Sequence, residues 1–397
     1  MSLLFALGSN SSGQLGVGHG DDTAAPQPGV TSTVTTVPTL PAAWYKLTGG
    51  GNHAVALTVA GDLYTCGSNA DGQLGPGQSS TNRWTPAQFP GPDSSATTPR
   101  RWADVACGWN HTLLIDDTDG QVYAMGNEAF GQLGRTQGPL SHVSATTSPS
   151  LTVNPLLNHG RTASKLPRII SVACGLRHSL ALDNEGRVWG WGTRRHGQLG
   201  ATPVGQVPSS AATPHPIPDL PPVTQIAAGQ HHSTMLDREG CVWVLGRSRH
   251  LAPFTRQIVG VDWSTRQLAL DLPTGVTIRR LVSGWSHLVV LASDGTVYTA
   301  GRNDHGQLGQ GTTEPLSMAV QVDLPGDPIV DVACGSEHSL ALTAGGQCWA
   351  WGWNEHGNCG QANLPDAPVP HAIQLPARSP TVHRIGCGYG FSLLSIE

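Results

Sequence analysis

HSLALDNEGRVWGWGTRRHGQLG, from His178 to Gly200, reads as a β-hairpin followed by a tight return. Residues 179–182 are a short apolar run, Asn184-Glu185-Gly186 is a turn, and Val188 to Trp191 is a second strand. Strand, glycine turn, strand is the ordinary hairpin pattern. Gly192 and Gly197-Gln198-Leu199-Gly200 then close the unit. The unit recurs from one end of the chain to the other, which makes this a repeat protein.

Working outward, the first half of the unit is Gly-x-x-His, at Gly50–His53, Gly108–His111, Gly175–His178, Gly229–His232, Gly284–His287 and Gly335–His338. A seventh copy, Gly388-Tyr389-Gly390-Phe391, has lost the histidine. The second half, Gly-(x)4-Gly-Gln-Leu-Gly, starts at Gly8, Gly67, Gly126, Gly192 and Gly301, with a weaker copy at Gly352. At Gly246 it has decayed into Arg247-Ser248-Arg249-His250-Leu251. The motif glycines lie 51 to 67 residues apart, a period that belongs to propellers and related arrays. Within the hairpin the spacing is constant: the turn glycine precedes the next motif glycine by six residues, as in Gly61/Gly67 and Gly295/Gly301. A fixed core therefore carries loops of free length at 17–43, 76–100, 135–166, 201–222, 247–273 and 361–380, covering one surface, with 135–166 partly mobile. The chain opens on the second strand of a unit (Leu4 to Leu7) and stops after the first strand of another (Ser392 to Ile396). Pairing these two closes the ring and removes two exposed edges. The expectation is an all-β protein: residues 1–397 as one seven-bladed β-propeller without helices, its longest loops at 135–166, 201–222 and 247–273.

Composition agrees. Among 397 residues, Gly 50 and Pro 30 mark many turns, while Trp 12 and abundant aliphatic residues argue against disorder. A net charge of −5 with 12% charged residues shows no electrostatic footprint for nucleic acid or an anionic membrane. No apolar run approaches the roughly 18 residues that span a bilayer. The expected location is the cytoplasm, with the nucleus as a second compartment. The eight cysteines form no CxxC pair. Cys107, Cys174, Cys334 and Cys387 share a slot that holds Gly49, Ala228 or Ser283 in other copies, so the slot selects small volume and not sulfur chemistry.

No metal, cofactor or catalytic residue is expected. One histidine per blade is spread around the ring, far beyond the roughly 2 Å reach of a shared metal; each imidazole is expected to tie its loop to a neighbouring backbone group. The glycine-rich return lacks the Lys-Ser/Thr of a phosphate loop, and its glycines serve positive φ. Nothing resembles a nucleophile–base–orienter set. The informative positions are the two variable ones inside each Gly-x-x-His, which fall on one face around the channel. They supply the expected partner-binding set: Asn52, Trp109, Asn110, Arg177, His231, Trp285, Glu337 and Tyr389. Trp109, Trp285 and Tyr389 are its anchors, in keeping with the composition of hot spots, and Arg177, His231 and Glu337 set orientation. Trp191, Trp243, Trp349 and Trp351 lie on strands and are assigned to the core.

Gly-x-x-His-Ser, Asp-Gly-x-Val-Tyr-x-x-Gly and Gly-Gln-Leu-Gly resemble the repeats of the regulator-of-chromosome-condensation family of seven-bladed propellers, over essentially the whole chain. That family holds exchange factors, photoreceptors, ligase modules and adaptors, so the resemblance implies the fold more strongly than the function. Leu4-Phe5-Ala6-Leu7-Gly8-Ser9-Asn10, the following Gly-Gln-Leu-Gly-Val-Gly-His-Gly-Asp-Asp and Thr23 to Pro28 are similar to the start of the fungal α-tubulin-suppressor (killer-toxin-insensitivity) group, whose animal relative is called DelGEF. That similarity implies a non-catalytic adaptor forming a heterodimer with a small zinc-binding electron carrier, in support of diphthamide synthesis and of Elongator-dependent modification of tRNA wobble uridines. A guanine-nucleotide exchange factor for a small GTPase is the alternative. A general propeller interaction module ranks next after the adaptor, and the exchange factor below it, because the chain shows neither the founder's basic tail nor its inserted wedge. A light sensor is disfavoured because Gly-Trp-Asn-His and Gly-Trp-Ser-His lack the arginine beside the tryptophan.

Overall fold

The computed structural model describes residues 3–18, 35–36, 43–87, 89, 100–134, 152–154, 168–200, 210–247, 250–251, 265–268, 270–361, 366–375 and 381–396. Among these, the chain forms 28 strands in seven four-stranded antiparallel sheets and no helix. Each sheet is a blade. Blades I to VI take 44–86, 102–154, 169–216, 223–267, 278–321 and 329–372 in order, each from its inner to its outer strand. The seven inner strands are Trp44–Gly49, Trp102–Cys107, Ile169–Cys174, Val223–Ala228, Ile278–Ser283, Ile329–Cys334 and Val382–Gly388. Each lies against the next and the last against the first, so the ring is closed.

Blade VII is built from both ends of the chain. Its inner strands Val382–Gly388 and Phe391–Ile396 are C-terminal, and its outer strands Leu3–Gly8 and Thr35–Thr36 are N-terminal. Leu3 pairs with Ile396 and Gly8 with Phe391, the closure expected from the two incomplete units.

The second strand of every blade begins at the motif histidine, or at Phe391 in blade VII, and is buried along its whole length. A strand covered on both faces reads as a continuous apolar run and does not alternate. The core consequently lies between blades. Val55 and Leu57 of blade I pack with Val105 and Leu114 of blade II, and Leu180 and Leu182 of blade III with Ile226 and Met235 of blade IV. Trp191 and Trp351 are fully buried, as expected of core residues, whereas Trp243 and Trp349 are only half-buried beside it.

Two strands per blade were not identified in the sequence. The outer strands Thr81–Pro86, Thr152–Asn154, Ser210–Pro216, Thr265–Gln267 and Asp366–Ala372 fall inside segments read as loops, as does Thr35–Thr36. Their residues are Pro-, Ser- and Thr-rich, and those of Thr81–Pro86 alternate little in burial, so period-2 patterning is weak. Apart from 152–154 and from 210–222, 247, 250–251, 265–268 and 270–273, the loops 135–166, 201–222 and 247–273 lie outside the described residues, and so does the expected mobility of 135–166.

Candidate partner-binding face

The motif histidines organise one face, through side chains and not through the backbone contact expected. Each imidazole Nε2 reaches a hydroxyl of the next blade: His53 to Thr112 at 2.9 Å, His111 to Ser179 at 3.1 Å, His178 to Ser233 at 3.1 Å, His287 to Ser339 at 3.0 Å and His338 to Ser392 at 3.0 Å. These hydroxyls donate their single proton to the carbonyls of Gln73, Gln132, Gln198, Gln307 and Asn358. The imidazole is therefore the donor, with its proton on Nε2. The carbonyls belong to the Gly-Gln-Leu-Gly return of the preceding blade, so both repeated motifs meet in one clamp between blades. The motif glycine is needed for space: a Cβ at Gly175 would lie 2.1 Å from Cε1 of His178. In the return, Gly192, Gly197 and Gly200 do take the positive φ expected of them. Burial pushes His178 down to about 3, and the other five motif histidines to about 3 or 4, so all six are neutral at pH 7.

The loops these clamps hold are stitched by backbone hydrogen bonds. Gly51 N donates to Trp109 O, Gln230 N to Trp285 O, Trp285 N to Ser336 O, Ser336 N to Tyr389 O and Tyr389 N to Gly50 O. Three predicted anchors meet across the axis: ring centroids of Trp109 and Trp285 are 5.9 Å apart, Trp109 and Tyr389 5.5 Å, and Trp285 and Tyr389 5.6 Å. They fill neither separate pockets nor gaps between blades. Trp285 and Tyr389 also line a central cavity of about 330 Å³, together with the inner strands of all seven blades.

The other predicted residues divide. Arg177 is exposed and lies over the Phe130 ring, 4.1 Å from its centroid. His231 stacks on His196 at 4.2 Å. Asn52 and Asn110 are half-buried, their carbonyls accepting from Ser68 and Asn127. Glu337 is not the surface group the sequence implied. Its side chain is 8% exposed, bonded to Arg302 at 3.1 Å and to the Gln307 amide. Burial raises its carboxyl, against the pull of the Arg302 guanidinium.

Sequence reading missed a ring of polar residues in the channel. Lys46, Asp104, Ser171, Gln225, Arg280, Asp331 and Arg384 each stand four before the motif glycine, in otherwise apolar strands. That in-frame polarity was the available signal. Lys46 reaches Asp104 at 2.6 Å, Ser171 donates to Asp104 at 3.3 Å, and Arg280 pairs with Asp331. A register shift interrupts every inner strand just before these residues, and Lys46, Ser171, Gln225 and Arg280 line the central cavity.

The family description RCC1-like domain matches residues 3–394. The chain belongs to the RCC1-like family. A secretion-regulating guanine nucleotide exchange factor of Mus musculus is 33% identical to this RCC1-like chain, over 99% of it and 83% of the relative. The Arabidopsis thaliana ultraviolet-B receptor is 29% identical over 88% of this chain and 74% of the receptor. Among solved structures, Prp20p of Saccharomyces cerevisiae, studied for its binding to Gsp1p and histones, superposes with a TM-score of 0.79. It is 23% identical, with 100% of this chain and 91% of that one covered, and carries the fold alone. A relative named as an exchange factor favours the alternative exchange-factor reading over the adaptor reading preferred above, and neither of these relatives is named for a zinc-binding electron carrier.

Proposed function

We propose that this protein is a regulator of a small GTPase, of the guanine-nucleotide-exchange type, and that the GTPase docks on the Gly-x-x-His face. The 33% identity to a secretion-regulating exchange factor along 99% of the chain carries the reading. Exchange requires no covalent chemistry. A protein that binds the nucleotide-free GTPase more tightly than the loaded form weakens nucleotide binding by the same factor, because coupling between two sites is reciprocal. A rigid face with differential contacts is sufficient, and loops clamped blade to blade support the rigidity.

The test is release of labelled GDP from a panel of small GTPases. One of them should exchange faster with this protein present. Trp109→Ala and Trp285→Ala should each weaken its binding by about 2 kcal/mol or more if these rings are anchors. No acceleration and no binding across the panel overturns the proposal. The resemblance of the first residues to the α-tubulin-suppressor group supports a second reading, a heterodimer with the small zinc-binding electron carrier that serves diphthamide synthesis and Elongator. Calorimetric titration separates the two, since one-to-one submicromolar binding of that carrier with no GTPase response favours the second.

A further inference from the structure

The Gly-x-x-His face carries uncompensated positive charge on blades III and IV, part of it at the decayed return of blade IV. Blade IV is the copy whose return has decayed, and Arg247 stands at its start. Arg247 N donates to the carbonyl of His231 at 3.0 Å, which fixes it beside the stacked His196–His231 pair. In blade III, Thr193 N donates to the carbonyl of Arg177 at 2.8 Å, so Arg194 and Arg195 follow directly on that loop. Arg177, Arg195 and Arg247 are exposed, and Nε of Arg194 is buried with no hydrogen-bond partner. Among the described residues none of the four arginines forms an ion pair, in a protein of net charge −5. The charges are close enough to act on the same groups: Arg177 and Arg247 both depress His231, and Arg195 and Arg247 both depress His196. In blades V and VI the same return carries exposed Asp304, paired with Arg302 at 2.7 Å, and exposed Glu355.

We infer that the sector formed by Arg177, Arg195 and Arg247 is a docking site for an acidic segment of a protein partner. The inference rests on the reading of this face as a docking surface and adds the chemistry of what it recognises. Three exposed guanidiniums, in no ion pair among the described residues, offer bidentate donors to carboxylates. The sector spans two blades, and on the next one Arg302 is already compensated by Asp304 and Glu337, so the uncompensated positive charge covers a span that a short acidic stretch can match. Burial keeps His196 and His231 below their ordinary range, so at neutral pH the arginines supply the charge. Arg247 stands where other blades present Ser9, Ser68 or Asn127; blade V also has an arginine there, Arg302, but Asp304 and Glu337 hold it in ion pairs.

The experiment is fluorescence anisotropy with a labelled oligoglutamate peptide, using the full chain and no GTPase. The peptide should bind with an affinity that falls as salt rises. Arg195→Gln combined with Arg247→Gln should weaken it roughly tenfold or more. Arg238→Gln with Arg279→Gln, the same charge change away from this sector, should leave it unaltered. Both altered residues in the test pair are exposed, and an unchanged melting temperature checks the fold; Arg247→Lys restores binding in part if charge is the cause. Absence of peptide binding, an equal loss in the control pair, or tighter binding of an oligonucleotide of matched charge each overturns the inference. Failure of nucleotide exchange with peptide binding intact would remove the GTPase and leave the acidic-segment site; the reverse result would remove the site alone.

Discussion

At the residue scale, the clamp between His and hydroxyl explains where the repeat departs from itself. Blade VII has Phe391 in place of histidine, and the neighbouring blade I has Ala54 in place of the hydroxyl, the two packing in one apolar cluster. Blade V has Leu288 at the hydroxyl position, and His232 turns instead to Ser283 at 2.9 Å, which stands in the small-residue slot. Donor and acceptor are thus kept or lost together, because a buried unpaired imidazole N–H costs about 1–3 kcal/mol. Replacing His178 by Phe or Ser233 by Ala should each destabilise the protein. The combination His178→Phe/Ser233→Ala, which copies the blade VII–blade I junction, should cost less than the sum by about 1 kcal/mol or more, read from urea midpoints. Strict additivity would mean that the contact contributes nothing specific. Both residue types were visible in the sequence. The contact was not, because each His meets a hydroxyl 51 to 68 residues away, in the next blade.

At the element scale, hairpins that carry a glycine turn and a fully buried strand were legible, and the flanking strands were not. A strand buried on both faces has a strong apolar run, whereas an outer strand is half solvated and depends on its neighbour for definition. Leu3–Gly8 is the exception that closes the molecule. Leu4, Phe5 and Leu7 are each 1% exposed, and the strand completes blade VII from the other end of the chain. Removing residues 1–8 should cost more than about 5 kcal/mol, from the burial of these side chains alone, and leave Phe391–Ile396 as an open edge. A fall in melting temperature with self-association on gel filtration is the expected result. A truncated chain that stays monomeric and melts with the intact one would show that closure contributes little.

At the scale of the whole molecule, six blades hide one neutral histidine each, and their protonation acts on a single ring. His53, His111, His178 and His287 are held at about 3 and His232 and His338 at about 4, against about 6.5 in an unfolded chain. Above pH 6.5 both states are neutral and nothing changes. Below it the unfolded chain binds more protons than the folded one, so stability falls as pH falls, by roughly 1.4 kcal/mol per histidine per pH unit, until the folded values are reached. Unfolding between pH 6 and 4 should therefore be steep, with uptake of several protons measurable by the pH dependence of the urea midpoint. A flat dependence in that window would mean the rings are already charged when folded.

By itself the sequence determined the repeat, its sevenfold count, the hairpin within it and the closure of the ring, since all of these are written in local spacing and in the two incomplete ends. Tertiary structure alone decided which repeats touch. It drew Trp109, Trp285 and Tyr389 from blades II, V and VII onto the axis and buried Glu337 against Arg302. It also gathered Arg177, Arg195 and Arg247 around the His196–His231 pair on two adjacent blades. The physical reason is the ring itself: equivalent positions converge toward the axis and diverge toward the rim, so distance between side chains depends on radius and not on separation along the chain.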